Sequence, residues 1–192
     1  MSMISLLVGL GNIGERYLGT RHNVGFEVVE KVRQALKLSF QPPTETYDWA
    51  VQERGERQII LAWPKTYMNH SGLAARALLQ DTDLQPLQML AVVDDFNLPL
   101  GRIRIRQGGS DGGHKGLVSI IEALETEDFP RLRLGIGPVS DNIDAVDFVL
   151  SRFEKEEIKS AEKMIDTATE IALFAIDHHL EEVMSRYNVN PA

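Results

Sequence analysis

The chain has 192 residues, 43% of them hydrophobic and 25% charged, which suits one domain with a real core and excludes disordered and fibrous classes. No apolar run approaches the roughly 20 residues that span a bilayer. The first residues lack a basic segment and run straight into an apolar stretch, so no signal peptide is expected. There is no cysteine, which removes disulfides, thiolate metal sites and cysteine nucleophiles and fits a cytoplasmic protein. The net charge of −8 argues against a nucleic-acid partner, but it is lopsided. From Asp141 onward there are 12 acidic and 5 basic residues, leaving 16 and 15 in the first 140. A local basic site therefore remains compatible with the acidic total.

In chain order, Ser5-Leu6-Leu7-Val8 is an apolar run stopped by Gly9 and reads as a buried strand. Asn23 to Leu36 carries Val24, Val28, Val32 and Leu36 at helical spacing. Tyr47 to Val51 and Gln58 to Trp63 read as strands, Ser71 to Leu79 as a helix, and Met89 to Val93 as a buried strand ending at Asp94-Asp95. Arg102-Ile103-Arg104-Ile105-Arg106 alternates strictly, giving a strand with one basic and one apolar face. Leu117 to Leu124 reads as a helix and Arg131 to Ile136 as a further strand. Ile158, Ile165, Ala168, Ala172, Ala175 and Val183 mark one long amphipathic C-terminal helix. Interleaved strands and helices predict a single α/β domain spanning 1–192. Its central sheet should be mixed and mostly parallel, with helices on both faces. In such sheets ligands gather beyond the carboxyl ends of the strands. Asn12, Asn69 and Asp94 each follow a predicted strand in that way.

Two glycine motifs invite familiar readings that their context resists. Gly9-Leu10-Gly11-Asn12-Ile13-Gly14 follows a strand like a dinucleotide fingerprint, but that fingerprint opens a helix at once and needs an acidic residue after a second strand. Here Gly19 and Gly25 interrupt the stretch beyond the motif, and Glu30 falls inside the first predicted helix. Gly108-Gly109-Ser110-Asp111-Gly112 matches the serine elbow, yet it sits in a longer loop with Gly113 and Gly116. Its only downstream histidines are His114, His178 and His179. A flexible loop that lets backbone approach a ligand is the simpler reading. Of the five histidines, none forms an H-E-x-x-H pair, so no metal site is expected. His22 in Thr20-Arg21-His22-Asn23, just ahead of a helix, remains open to either a structural or a catalytic reading.

Four segments together resemble the bacterial peptidyl-tRNA hydrolases. These are Gly9 to Gly14 with Tyr17 and Thr20 to Gly25, then Thr66-Tyr67-Met68-Asn69-His70-Ser71-Gly72, then Asp94 to Gly101, then Gly112-Gly113-His114-Lys115-Gly116. They occur in family order and spacing, and the resemblance covers nearly the whole chain. Ile13 stands where most members have proline, Asn97 where they usually have aspartate, and Lys115 where asparagine is common.

The resemblance implies hydrolysis of the ester between a peptide and the terminal ribose of tRNA. His22 would be the general base, suited by an unperturbed pKa of about 6.5. Asp94 would fix its tautomer and stabilise its cation. Asn69 would position substrate or water, and Asn12 would distinguish blocked from free aminoacyl ends. Tyr17, Tyr67 and Lys115 would contact the tRNA portion, with Asn23, Met68 and His114 supporting. Independently of the resemblance, the shared strand face of Arg102, Arg104 and Arg106 reads either as a phosphate-binding surface, together with Lys115, or as a solvated sheet face. A monomeric cytoplasmic enzyme without cofactor or metal is implied. The alternatives are an RNA-binding protein on the same fold and a small-ester hydrolase without an RNA role.

Overall fold

The computed structural model describes residues 3–139 and 142–188. Six strands form one mixed sheet: β1 (Leu6–Gly9), β2 (Tyr47–Arg54), β3 (Arg57–Pro64), β4 (Met89–Pro99), β5 (Ile103–Arg106) and β6 (Arg131–Gly137). Their order is β2-β3-β1-β4-β6-β5. The four inner strands run parallel. The outer strands β2 and β5 are antiparallel to their neighbours, so the expected mixed, mostly parallel sheet is present.

Because successive side chains of a strand face opposite ways, the apolar runs split between two cores. Leu7 on β1, Leu61 on β3 and Leu90 and Val92 on β4 join one cluster. It is covered by α1 (Val24–Ala35) and α5 (Ile158–Asp177). Leu6 and Val8, Ile60 and Ala62, and Met89, Ala91 and Val93 join the other. That one lies under α2 (Ser71–Thr82) and α3 (Lys115–Leu124). The central strands are apolar throughout because both faces are buried.

Three expectations are corrected. The strand expected to stop at Val93 continues to Pro99. Asp94 and Asp95 still pair with Leu134 and Gly135 of β6, and their carboxylates find side-chain partners, so the polar pair does not end the strand. A short helix, α4 (Ala145–Leu150), lies where no element was expected; its start is capped by Asp144, whose side chain accepts from Val146 and Asp147 backbone N–H groups. The long terminal helix is two helices, α5 and α6 (Leu180–Tyr187), with His178 extended between them. His178 stacks on Phe174 at 3.5 Å and its Nδ1 donates to the Phe174 carbonyl at 2.9 Å, satisfying one acceptor freed by the break. Among the described residues no helix is long and apolar enough to cross a membrane.

Candidate active site

The site is built where β1, β3 and β4 end. After Gly9 the chain does not enter a helix but makes a loop and short 3-10 turns, at Glu15–Tyr17 and Arg21–Asn23, before α1. This removes the dinucleotide reading, since no helix opens directly after the glycines. The glycines serve packing instead. A Cβ on Gly9 would lie 2.5 Å from the Gly25 carbonyl oxygen, and one on Gly25 would lie 2.3 Å from that of Val92. Only glycine at both positions lets the first turn of α1 sit against β1 and β4 and set His22 over the sheet edge.

Asn23 braces the loop from behind. Its Oδ1 accepts from the Asn12 backbone N–H at 2.8 Å and its Nδ2 donates to the Asn12 carbonyl at 3.0 Å. The Asn12 side chain in turn accepts from the Met68 backbone N–H at 2.9 Å. That bond commits Asn12 Oδ1 and leaves the Nδ2 amide to donate. Met68 thus contributes its main chain as well as its buried side chain. Asn69, Tyr67 and Lys115 are exposed, and Tyr17 is half-buried.

At the centre, His22 Nδ1 lies 2.8 Å from Asp94 Oδ1. His114 Nε2 lies 3.0 Å from the same oxygen. Asp94 is 1% exposed, His22 7% and His114 6%, so these contacts are shielded from water. Burial alone pushes the Asp94 carboxyl up, but the two rings, by charge and hydrogen bonding, outweigh it and hold the carboxyl well below the usual carboxylate range. An ionised carboxylate only accepts. His22 therefore donates from Nδ1, and the neutral ring carries its lone pair on Nε2. Ligand-type atoms of His22, Asp94 and His114 lie within 4.8 Å of one another. Both nitrogens already sit at hydrogen-bond distance from one oxygen, and a shared proton accounts for each contact.

A cavity of about 730 Å³ opens over this group. Asn12, Tyr17, His22, Tyr67, Met68, Asn69, Asp94, His114 and Lys115 all line it; of the other sequence candidates, Asn23 stands behind it and the three arginines lie elsewhere. Sequence reasoning missed the wall formed by α4, which presents Ala145, Val146, Val149 and Leu150, and also Arg16 and Phe96. The one available signal was the Asp144 cap ahead of a short apolar run.

Arg21, 3% exposed, was also missed as a support. It pairs with Glu157 Oε2 at 2.5 Å, lies over the rings of Phe148 and Phe153, and reaches Ser151 Oγ at 3.2 Å. It ties α4 to the turn that carries His22. Ser110 of the elbow-like motif is exposed and does not line the cavity; its carbonyl accepts from buried Arg131. Of the family departures, Asn97 donates from Nδ2 to the Gly112 carbonyl at 3.0 Å, a bond aspartate could not make, and Ile13 is exposed. The arginine strand is β5, at the sheet edge. Ile105 is buried while Arg102, Arg104 and Arg106 are exposed. They line a second cavity with Thr167, Ile171, Tyr187 and Asn188, apart from Lys115.

The model of the peptidyl-tRNA hydrolase family matches residues 6–192. A peptidyl-tRNA hydrolase of Hydrogenobaculum is 41% identical, covering 97% of this chain and 98% of the relative. One of Kosmotoga olearia is 45% identical over 95% and 96%. The crystal structure of peptidyl-tRNA hydrolase from Acinetobacter baumannii superposes with a TM-score of 0.91 at 30% identity, covering 100% of this chain and 98% of that one. The chain belongs to the peptidyl-tRNA hydrolase family, hydrolases that act on the ester bond of peptidyl-tRNA.

Proposed function

We propose that His22 is the general base of this hydrolysis, with Asp94 as its orienting partner. The observation that carries the reading is the buried 2.8 Å contact between His22 Nδ1 and Asp94 Oδ1 beneath an open cavity. His22 Nε2 takes a proton from water as the water oxygen bonds to the ester carbonyl carbon. Asn69 positions the substrate or the water, and the Asn12 amide, whose Oδ1 is already committed, bonds the peptide backbone and so favours blocked over free aminoacyl ends. The carbon–oxygen bond to the ribose then breaks, and the ribose oxygen takes the proton back from His22, leaving a free peptide acid and tRNA.

The imidazolium that forms in the middle of this cycle lies against a carboxylate that is already ionised, so the partner acts without protonation. Tyr17, Tyr67 and Lys115 meet the tRNA end. The exposed Arg102, Arg104 and Arg106 meet phosphates farther along. The apolar wall of Val146, Val149 and Leu150 faces the peptide. The protein works as a monomer in the cytoplasm, where its substrate arises, and uses no metal or cofactor. The test is incubation with N-acetyl-aminoacyl-tRNA, following deacylated tRNA. Turnover on this substrate with little on N-acyl amino-acid alkyl esters supports the reading. RNA binding without turnover, or equal rates on both esters, overturns it.

A further inference from the structure

His114 is a buried titratable side chain that hydrolysis as described does not use. Its geometry is determined on both sides of the ring. Nδ1 lies 3.1 Å from the Gly116 backbone N and 3.2 Å from that of Leu117. These N–H groups only donate, so Nδ1 accepts and caps α3. The ring proton then sits on Nε2, which points at Asp94 Oδ1 from 3.0 Å. Asp94 Oδ2 is buried with no hydrogen-bond partner among the described residues. All of the carboxylate's hydrogen bonding thus converges on Oδ1, shared by two rings whose centroids are 5.0 Å apart.

We propose that His114 is a positioning residue for the hydrolysis: locked in the Nε2–H tautomer by the first turn of α3, it holds the Asp94 carboxylate in place and tempers its pull on the proton of His22. This rests on the reading of His22 as base. By taking part of the negative charge of Oδ1 into its own hydrogen bond, His114 keeps Asp94 from over-stabilising the His22 cation, which would leave too little free base near neutral pH. The other charged or titratable groups around the trio are Arg16 and Tyr17 ahead of the base, Tyr67 ahead of α2, and Lys115 on α3. Farther back are Arg21 with Glu157, and Asp95 on β4 with Arg133 on β6. The α4 wall contributes only apolar residues.

The test is His114→Asn. Asparagine is a favoured helix cap, so α3 keeps its start while the Nε2–H donor to Asp94 is lost. The readout is kcat on N-acetyl-aminoacyl-tRNA from pH 5.5 to 8.5, corrected for spontaneous hydrolysis. The acid limb is expected to move up by roughly half to one pH unit, because a hydrogen bond to the charged partner of the base has been removed. At pH 6.5 kcat should fall about three- to tenfold and recover to within about twofold by pH 8.5, with KM changed less than about twofold. A loss uniform across pH, or no loss at all, overturns the proposal. Should the variant not fold, ring 15N shifts of the wild-type protein at pH 7 decide. A protonated Nε2 and bare Nδ1 on His114 support the proposal, and the opposite tautomer overturns it. His22→Ala in the same assay separates the two ideas, since a wild-type rate there removes the base itself, whatever His114 does.

Discussion

Replacing Asp94 by asparagine tests the centre of the site with the least change of shape. Two ring nitrogens converge on Oδ1 at 2.8 and 3.0 Å, and the side chain is fully buried. If the amide oxygen takes the Oδ1 position, both rings keep their acceptor but the charge is gone. The amide nitrogen then falls where Oδ2 lies buried without a partner, stranding two donors. If the amide turns round, its N–H₂ faces His22 and forces the proton onto Nε2, which disables the base. In the better case the loss is the attraction between carboxylate and imidazolium. With charge centres about 4 Å apart and an effective dielectric of about 20, this is about 4 kcal/mol. That corresponds to about a thousandfold in rate. The assay is single-turnover hydrolysis of N-acetyl-aminoacyl-tRNA across pH 5.5–8.5. Without the carboxylate the cation of His22 is less favoured, so the acid limb moves to lower pH. A fall below about threefold together with an unmoved limb would refute the pairing, since the typical value of general base catalysis, about 10²–10⁴-fold, needs an oriented ring.

His22→Ala should lose about 10²–10⁴-fold in kcat while still binding tRNA, as followed by gel shift; a folded variant at wild-type rate removes it from the mechanism. Asn12→Asp keeps an acceptor for the Met68 N–H but replaces the free amide by a charged oxygen that attracts an α-ammonium group. The ratio of rates on N-acetylated and free aminoacyl-tRNA should therefore narrow, and an unchanged ratio rejects the assignment. Lys115→Asn should leave the chemical step intact, raise KM for peptidyl-tRNA and flatten its salt dependence by roughly one phosphate contact, a log–log slope of about 0.7; equal losses on a minimal substrate would move Lys115 to the peptide end. Stability should also depend on acid in a defined way. The carboxyls of Asp94 and Glu157 are both held below their ordinary values, Asp94 by its two rings against burial and Glu157 by Arg21 and the Glu154 backbone against burial. Their contribution is present above the unfolded values of 3.8 and 4.5 and is lost as pH falls through the lower folded ones. Urea midpoints that do not fall from pH 6 to pH 3 would contradict this.

The strands were legible because burial on both faces writes an uninterrupted apolar run, as in Leu6 to Val8 and Met89 to Val93, and polarity then marks where the chain leaves the core. Asp94 broke that logic. Its polarity is offset by two histidines from elsewhere in the sequence, so the strand passes through it unseen. The same distance in sequence hid the second contact of His114: its place ahead of α3 was readable, whereas its 3.0 Å approach to a residue 20 positions earlier belongs to the tertiary fold. The break at His178 escaped because the apolar spacing continues through it, while the ring that compensates the lost helix bonds stacks within its own helix. Helix α4 has only six residues, too few for a periodic pattern. Its attachment through Arg21 reads in sequence as one more surface cation.

The acidic total and an RNA substrate are reconciled by where the charges lie. Glu162, Asp166, Glu170 and Asp177 lie on helix α5, on the face of the sheet opposite α3, whereas the site opens beside the start of α3, where Lys115 stands exposed at the first helical position. A lysine there gains nothing from the helix, because the N-terminal end already bears partial positive charge and disfavours a cation by a few tenths of a kcal/mol to about 1 kcal/mol. The Gly116 and Leu117 N–H groups of that turn are taken by the His114 ring, and Lys115 lines the cavity. On β5 the register sets Arg104 opposite Arg133 and Arg106 opposite Arg131, an arrangement that like-charge repulsion across strands also disfavours. Arg133 and Arg131 are each committed inward, to Asp95 and to the carbonyls of Ser110 and Glu127, while Arg104 and Arg106 stay exposed. Exposed cations at these positions fit the proposal that Lys115 and the β5 arginines meet the phosphates of the tRNA.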